Sequence, residues 1–546
     1  MTVSDPPRPD ESVPAADEPT PVEPPRKRGA TGAFFVALGI LATKLFGIVR
    51  QAFIAKYLGA TAAADAFNAA TRIPNLLQNL FGEGALSASL IPVYARLRAQ
   101  RDDAEAGRVA GGVLVTLAIV VTTLVVLGIL FTPQLLPIVA GGFKGETRAM
   151  AIDFVRIVFP GIGIFVIGAW CLAILNSHRR FFVSYAAPVA WSVVMIAALV
   201  WYGPRQTVPQ VARTASWAFV IGAIAQVLVQ VPSVVGLVAK DIRIATQWSN
   251  ENVRTVLRNF IPVGVSRGIV QISNYVDILI SSFLPQGTLS LLTYATTISY
   301  VPVSLFGIGI SAAELPEMSS VLGSADERDR QLRERLNAGL RQIAYFVIPS
   351  ALAMVAAGDL MAAALFEHGK VSPQGTLFMW GILAGSAVGL LASTSGRLYS
   401  STFYALHDTR TPLNFACVRV ALTSILGFLF AIPLPRLLGI DGHWGGAGLT
   451  ISFGIAGWSE FILLRRSMNH RIGVTGLAAS VAWKLWGAAL IAGGVAFGLK
   501  QIIHIRSSII SAVIVLGVFG FVYLGATIAM RVPESRVLLR RLRLVR

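Results

Sequence analysis

Lys44 and Arg50 stand six residues apart in the apolar run "TKLFGIVR". At 3.6 residues per turn they lie about 120° apart on a helix, so both can border one broad cavity. The next apolar run holds Asp65, Arg72 and Glu83. Arg267 and Asp277 share a later one, and Glu314, Arg397 and Arg419 interrupt others. A charge at the centre of a spanning helix costs roughly 2.5–3.5 kcal/mol, so such residues face water, a partner or a ligand. Guanidinium forks bind phosphate or carboxylate through two parallel hydrogen bonds. A cavity lined by several such cations therefore suits an anion. Acidic residues among them, Asp65 and Glu83, can close it as partners or bind a coupling ion. Local uses compete: Asp153 and Arg156 are three apart and can pair along one helix face, and Arg419 can snorkel or pack a lobe interface.

The elements that must position these charges are membrane helices. The chain has 546 residues, 54% hydrophobic and 14% charged, which is the composition of a polytopic membrane protein. A helical crossing needs roughly 20 apolar residues. About fourteen stretches qualify, near 31–56, 62–95, 109–133, 149–176, 181–203, 212–239, 256–284, 289–321, 342–366, 373–405, 411–434, 445–464, 479–502 and 507–530. Their long continuous runs read as helices, not as alternating barrel strands.

The net charge of +18 falls mostly in alternate loops, such as Arg96, Arg98, Arg101 and Arg108 after the second span, or Arg328, Arg330, Arg333 and Arg335 after the eighth. That pattern sets topology and places both termini in the cytoplasm; it does not imply nucleic acid. No GxxxxGK[ST] loop occurs, so P-loop ATP binding is excluded. Cys171 and Cys417 both fall in spans, and no HExxH pair exists, so neither a disulfide nor a metal site is expected.

The chain repeats itself. "LFGEGALSASLIP" (Leu80 to Pro92) returns as "LFGIGISAAELP" (Leu305 to Pro316), offset by 225 residues at one end and 224 at the other. Pro188 and Pro412 keep the same offset. Six spans separate the copies, so the halves share one membrane orientation, as in parallel-repeat transporters. The expected organisation is a disordered cytoplasmic tail (1–30), an N-terminal lobe of six spans (31–240), a C-terminal lobe of six (241–466), two appended spans (467–531) and a basic cytoplasmic tail (532–546). "ADERDRQLRERLNAGL" (Ala325 to Leu340) reads as an interfacial amphipathic helix between the lobes.

"RIPNLLQNLFGEGALSASLIPVYARL", "ADAF" (Ala64 to Phe67), "NYVDILISSFLPQGTLS" (Asn274 to Ser290) and "FYALHDTRTP" (Phe403 to Pro412) resemble the MurJ (MviN) family. These are lipid II flippases of the MATE-like multidrug/oligosaccharidyl-lipid/polysaccharide exporter superfamily. The resemblance spans about residues 31 to 530. It implies two lobes in a V around a central cationic cavity, with the last two helices forming a groove for a polyprenyl tail. The implied substrate is lipid II, undecaprenyl-pyrophosphoryl disaccharide-pentapeptide, moved to the periplasmic leaflet of the bacterial inner membrane for peptidoglycan synthesis. The implied mechanism is alternating access by a transporter, not an enzyme. It uses no cofactor and no ATP hydrolysis; the membrane potential or Na+ drives it. The expected form is a monomer among membrane lipids, associated with cell wall synthesis proteins.

By that resemblance Arg50 matches a cavity arginine, Lys44 replaces an arginine, Asp65 and Glu83 match acidic positions, and Arg397 matches a basic one. Two family arginines are missing: Gln78 and Thr297 stand in their places. Arg72 and Arg267 are the expected substitutes, and Asp277 with Asn274 the expected coupling-ion ligands. The missing arginines keep open another lipid-linked polyprenyl-pyrophosphate glycan as cargo. A drug antiporter of the same superfamily fits a cationic cavity poorly. The remaining alternative is a non-transporting scaffold paralogue.

Overall fold

The computed structural model describes residues 28–72, 75–321, 324–503 and 505–535, with side chains throughout except at 28–38, 40, 76, 79, 83 and 262–274. Of the expected tail over residues 1–30, residues 1–27 lie outside the described residues and 28–30 open the first helix; the end of the basic tail, 536–546, also lies outside them. Among the described residues there are helices and no strands.

Each of the fourteen apolar stretches is helical. In chain order the helices are α1 (Arg28–Leu58), α2 (Ala62–Arg72), α3 (Asn75–Phe81), α4 (Glu83–Ala99), α5 (Asp103–Leu130), the short α6 (Thr132–Ala140), α7 (Gly145–Ser177), α8 (Phe181–Tyr202) and α9 (Val208–Val238). The second half runs α10 (Glu251–Ser282), α11 (Thr288–Pro302), α12 (Gly309–Ser319), α13 (Ala325–Phe366), α14 (Pro373–Ala405), α15 (Arg410–Ala431), the short α16 (Pro433–Leu437), α17 (Gly445–Ile472), α18 (Ala479–Ile502) and α19 (Ser508–Ala529). Eleven runs among the described residues are long and apolar enough to cross a bilayer. The other three expected crossings are α1, the broken run α2–α3–α4, and α10, which hold Lys44, Arg50, Asp65, Arg72, Glu83, Arg267 and Asp277.

The breaks fall where the sequence demands them. Pro74 cannot donate to a helix ladder, and α2 stops at Arg72. Gly82 divides α3 from α4 with extended backbone, φ −83° and ψ −157°. A side chain there has no room, since a Cβ would meet the Gln78 carbonyl oxygen at 2.0 Å. The matching place in the second repeat is also irregular. Between α11 and α12, Val303–Ile308 widens into a π-helical turn around Gly307, which stands 225 residues after Gly82.

Helices α1–α9 pack on one another through the α1–α8, α8–α9, α7–α9 and α5–α7 contacts. Helices α11–α17 pack on one another through α13–α14, α14–α17 and α15–α17. Helix α10 touches both groups, lying against α3, α4 and α6 on one side and α15 on the other. Helices α18 and α19 pair with each other and lean on α13. The tightest seam is α14 on α17, where a Cβ on Gly389 would sit 2.3 Å from the Gly454 Cα. Without side chains between them the two backbones approach closely, which maximises dispersion where lipid offers no hydrophobic drive.

Two expectations need correction. The segment Ala325 to Leu340 is not a separate helix between the lobes; it forms the first turns of α13, which runs on to a kink at Ala357. Its apolar residues, Leu332, Leu336 and Leu340, continue the same buried stripe as Ile343 and Val347, so the helix has no reason to stop. Asp153 does not pair with Arg156. It meets Arg213 of α9 at 3.2 Å, while Arg156 donates to the Ile129 carbonyl.

Gly389→Val forces α14 and α17 apart. It is expected to cost about 1–3 kcal/mol, read as a lowered melting midpoint of the purified protein, with Gly389→Ala intermediate.

Candidate functional site

The two lobes are joined at the ends of α1 and α2. Asp65, 4% exposed, faces the start of α11. Its carboxylate accepts from the Gly287 backbone N–H at 2.6 Å, the Ser290 N–H at 2.8 Å and the Ser290 hydroxyl at 2.6 Å. The free N–H groups and positive dipole end of a helix N-terminus favour a carboxylate at this place. Asn68 donates to Ser290, Tyr294 donates to the Gly59 carbonyl, and the Lys370 N–H donates to the Lys56 carbonyl. Gly287 has φ +93°, and a Cβ there would meet the Ala60 carbonyl oxygen at 2.5 Å, so only glycine permits the approach. Asp65 thus bonds lobe to lobe and does not line the cavity described next.

Beyond this junction lies a cavity of about 920 Å³. Its charged lining comes from five helices: Arg50 of α1, Arg72 of α2, Asp277 of α10, Arg397 of α14 and Arg419 of α15. Asn75, Tyr275, Thr296, Ser299 and Tyr300 add neutral polar groups. Arg50 donates to the Ser192 hydroxyl at 2.9 Å and its guanidinium lies 3.9 Å from the centroid of a Trp191 ring. Such stacking holds a cation without neutralising it. Arg72, the last residue of α2, donates to the Thr293 hydroxyl, and its carbonyl, freed by the helix break, accepts from the Tyr275 hydroxyl. Arg397 has no hydrogen bond or ion pair to any described residue. Arg419 differs: it pairs with buried Glu460 at 2.9 Å. Asp277 has Arg72 and Arg419 as its electrostatic neighbours, and its Oδ1 accepts no hydrogen bond. Lys44 does not line the cavity. It sits at the rim, 5.0 Å from the Tyr300 ring centroid.

The structure thus brings together Arg50, Arg72, Arg397 and Asp277, and places Lys44 beside them. The side chains of Glu83, Arg267 and Asn274 lie outside the described residues. Arg419 is legible in the sequence only as an intramembrane charge with several possible uses; its pairing with Glu460, 41 residues away, has no short-range signature. Trp191 carries no signal at all beyond lying three residues after Pro188. The two replaced arginines fall apart: Gln78 lines a smaller chamber inside the N-terminal lobe, and Thr297 lies on an apolar groove, its hydroxyl returned to the Thr293 carbonyl.

That groove, of about 820 Å³, runs between Ile48 of α1, Val301 of α11, Phe306 of the π-helical turn, Phe346 and Met354 of α13, and Val513 and Leu516 of α19. Of the two appended helices only α19 lines it; α18 packs behind, on α13 and α19. Both cavity and groove border α1 and α11, so these two helices divide a cationic chamber from an apolar one.

The family model described as lipid II flippase MurJ matches residues 54–517. The chain belongs to the MurJ family. A lipid II flippase MurJ of Burkholderia cenocepacia is 29% identical over 466 residues, covering 83% of this chain and 87% of the relative. A probable lipid II flippase MurJ of Rhizobium meliloti is 31% identical, covering 79% of each. Among solved structures, a lipid II flippase MurJ in an inward closed conformation superposes with a TM-score of 0.75 at 22% identity, over 93% of this chain and 99% of that one. An inward-facing multidrug resistance MATE family transporter of the MOP superfamily follows the same fold with a TM-score of 0.61 at 16% identity, over 80% of this chain and 98% of its own. The chain is a polytopic membrane protein of the flippase class, with the MurJ family's two-lobed all-α fold.

Arg419→Ala strands the Glu460 carboxylate and should destabilise the protein by about 2–3 kcal/mol, below the full penalty for a buried pair because Arg419 faces the cavity. Arg397→Ala strands nothing described and should leave the stability within about 0.5 kcal/mol of wild type. Thermal melts of the two purified variants check the contrast.

Proposed function

We propose that this chain moves lipid II, undecaprenyl-pyrophosphoryl disaccharide-pentapeptide, from the cytoplasmic to the periplasmic leaflet by alternating access of its two lobes. The observation that carries this reading is the pairing of chambers. A cavity with Arg50 and Arg72 held by neutral partners, and Arg397 bonded to no described residue, suits a pyrophosphate. An apolar groove on the other side of α1 and α11 suits a polyprenyl chain. A lipid with its head in one and its tail in the other must pass between α1 and α11, where Lys44 contacts Tyr300.

In this reading the basic loops and both termini face the cytoplasm, and the Asp65 junction closes the periplasmic end. Transport proceeds without ATP hydrolysis or a resident cofactor. The membrane potential drives it, or Na+ bound by Asp277 and Asn274. The protein works as a monomer within the lipid of the inner membrane, beside cell wall synthesis proteins. Gln78 and Thr297, which remove two family arginines, favour one second reading: a different polyprenyl-pyrophosphate glycan as cargo.

Complementation of a bacterium depleted of its own lipid II flippase tests the proposal. Wild type should restore growth, and Arg50→Ala at matched membrane level should lower rescue at least about tenfold, the loss of one charge-assisted hydrogen-bonded contact. Failure of well-inserted wild type to rescue would turn the reading toward the other glycan. Equal rescue by Arg50→Ala would sink the cationic-cavity mechanism.

A further inference from the structure

The N-terminal lobe holds a second chamber, of about 340 Å³, that the cationic cavity does not explain. The two share Arg72 and Asn75 in their linings, so they adjoin. Apart from the shared Arg72, the polar side chains of the smaller one are mostly amides: Asn75, Gln78, Gln226 and Gln230. Gln230 is 1% exposed, and neither its Oε1 nor its Nε2 has a hydrogen-bond partner among the described residues. The indole N–H of Trp191, also in this lining, is likewise buried and unpartnered. Buried polar groups in native proteins are nearly always paired, so an indole donor and a donor–acceptor amide left unpaired on two residues of one lining point to a ligand.

The chamber is also built rigidly. Trp191, Phe165 and Phe219 stand edge to face in a mutual cluster, with centroids 5.2–5.5 Å apart. Trp191 abuts Gly222, where a Cβ would meet its Cδ1 at 2.4 Å. The same indole carries the Arg50 guanidinium of the main cavity. The ligand group that fits is uncharged, both donates and accepts, and has a flat apolar face. Amide side chains match hydroxyls and acetamides because each does both. Aromatic rings match the C–H face of a sugar. The volume stands at the low end of small-molecule sites, which run roughly 300–1,000 Å³, so it takes one ring.

We propose that this chamber is the subsite for a single neutral N-acetylhexosamine ring, the one joined directly to the diphosphate held by Arg50 and Arg72. The proposal rests on the lipid-linked reading above and adds the place and chemistry of sugar recognition. Gln78, where the family resemblance leads one to expect arginine, belongs to it: an amide there reads a neutral group, as a guanidinium would not.

The test compares two probes on the purified full-length protein: undecaprenyl diphosphate, and undecaprenyl diphosphate bearing one N-acetylglucosamine. Wild type should bind the glycosylated probe about three- to tenfold more tightly, the yield of one or two hydrogen bonds. Gln230→Leu and Gln226→Ala should each erase that preference while leaving affinity for the bare diphosphate unchanged. Gln226 is only partly buried, so its variant tests the idea even where Gln230→Leu fails to fold. A sugar preference that survives both substitutions overturns the subsite and leaves the cationic cavity intact. Binding of neither probe by wild type overturns the lipid-linked reading itself, and the subsite with it.

Discussion

The structure turns on one carboxylate. Asp65 takes three hydrogen bonds from the first turn of α11 and so fastens the two lobes at one end. Its main partner, Ser290, lies 225 residues on, the same offset as the internal repeat. Two positions related by an axis can touch only beside that axis. The Asp65–Ser290 contact therefore marks where the pseudo-twofold runs, and it is the natural pivot: groups on the axis move least when one lobe rocks against the other. The neighbouring bonds Tyr294 to Gly59 and Asn68 to Ser290 cluster there for the same reason. The cavity lies beyond them, where the lobes diverge.

What fills the cavity follows from how its cations are held. A buried positive charge must be neutralised by a fixed partner or by something that comes and goes. Arg419 has a fixed partner in Glu460. Arg50, by contrast, rests on a serine hydroxyl and an indole face, and Arg72 on a threonine hydroxyl. These contacts fix position and leave the charge unbalanced. Asp277 offsets part of it, with Arg72 and Arg419 as neighbours and one oxygen unbonded. The remaining positive charge is a standing demand for an anion, and it is supplied from both lobes, so a bound anion pulls them together while its departure lets them part.

Much of this is legible in the sequence, for a physical reason in each case. Lipid forces spans to be apolar, so any charge inside one is conspicuous; Arg50, Arg72, Asp277 and Arg397 stand out for that reason alone. Proline and glycine act locally, so the breaks at Pro74 and Gly82 can be read from composition. The use of each charge is not legible, because it depends on partners far along the chain. Asp65 reads as an acid that could pair with a cation or bind an ion, and its carboxylate caps a helix across 225 residues; Asp153 finds Arg213 on another helix instead of its close neighbour Arg156. Trp191 and Gln230 are invisible because aromatic and amide residues in an apolar helix carry no signal until a space opens beside them.

The repeat explains the arrangement only where it is broken. At a contact on the axis, identical residues face each other, and two carboxylates there would repel; an acid on one side with a serine and free N–H groups on the other turns the same geometry into a bond. The cations obey a related rule. Arg50 and Arg72 have Tyr275 and Thr297 at their repeat positions, and the C-terminal lobe carries its cations on α14 and α15 instead. Had the repeat kept both copies, like charges from the two lobes would crowd the axis near the pivot and drive the lobes apart. Moving one set to later helices spreads the positive charge around the cavity wall, lets Tyr275 hold the broken end of α2 through the Arg72 carbonyl, and leaves Thr297 on the apolar groove. The chain thus keeps the backbone symmetry that a rocking motion needs and gives up the chemical symmetry that electrostatics would not tolerate.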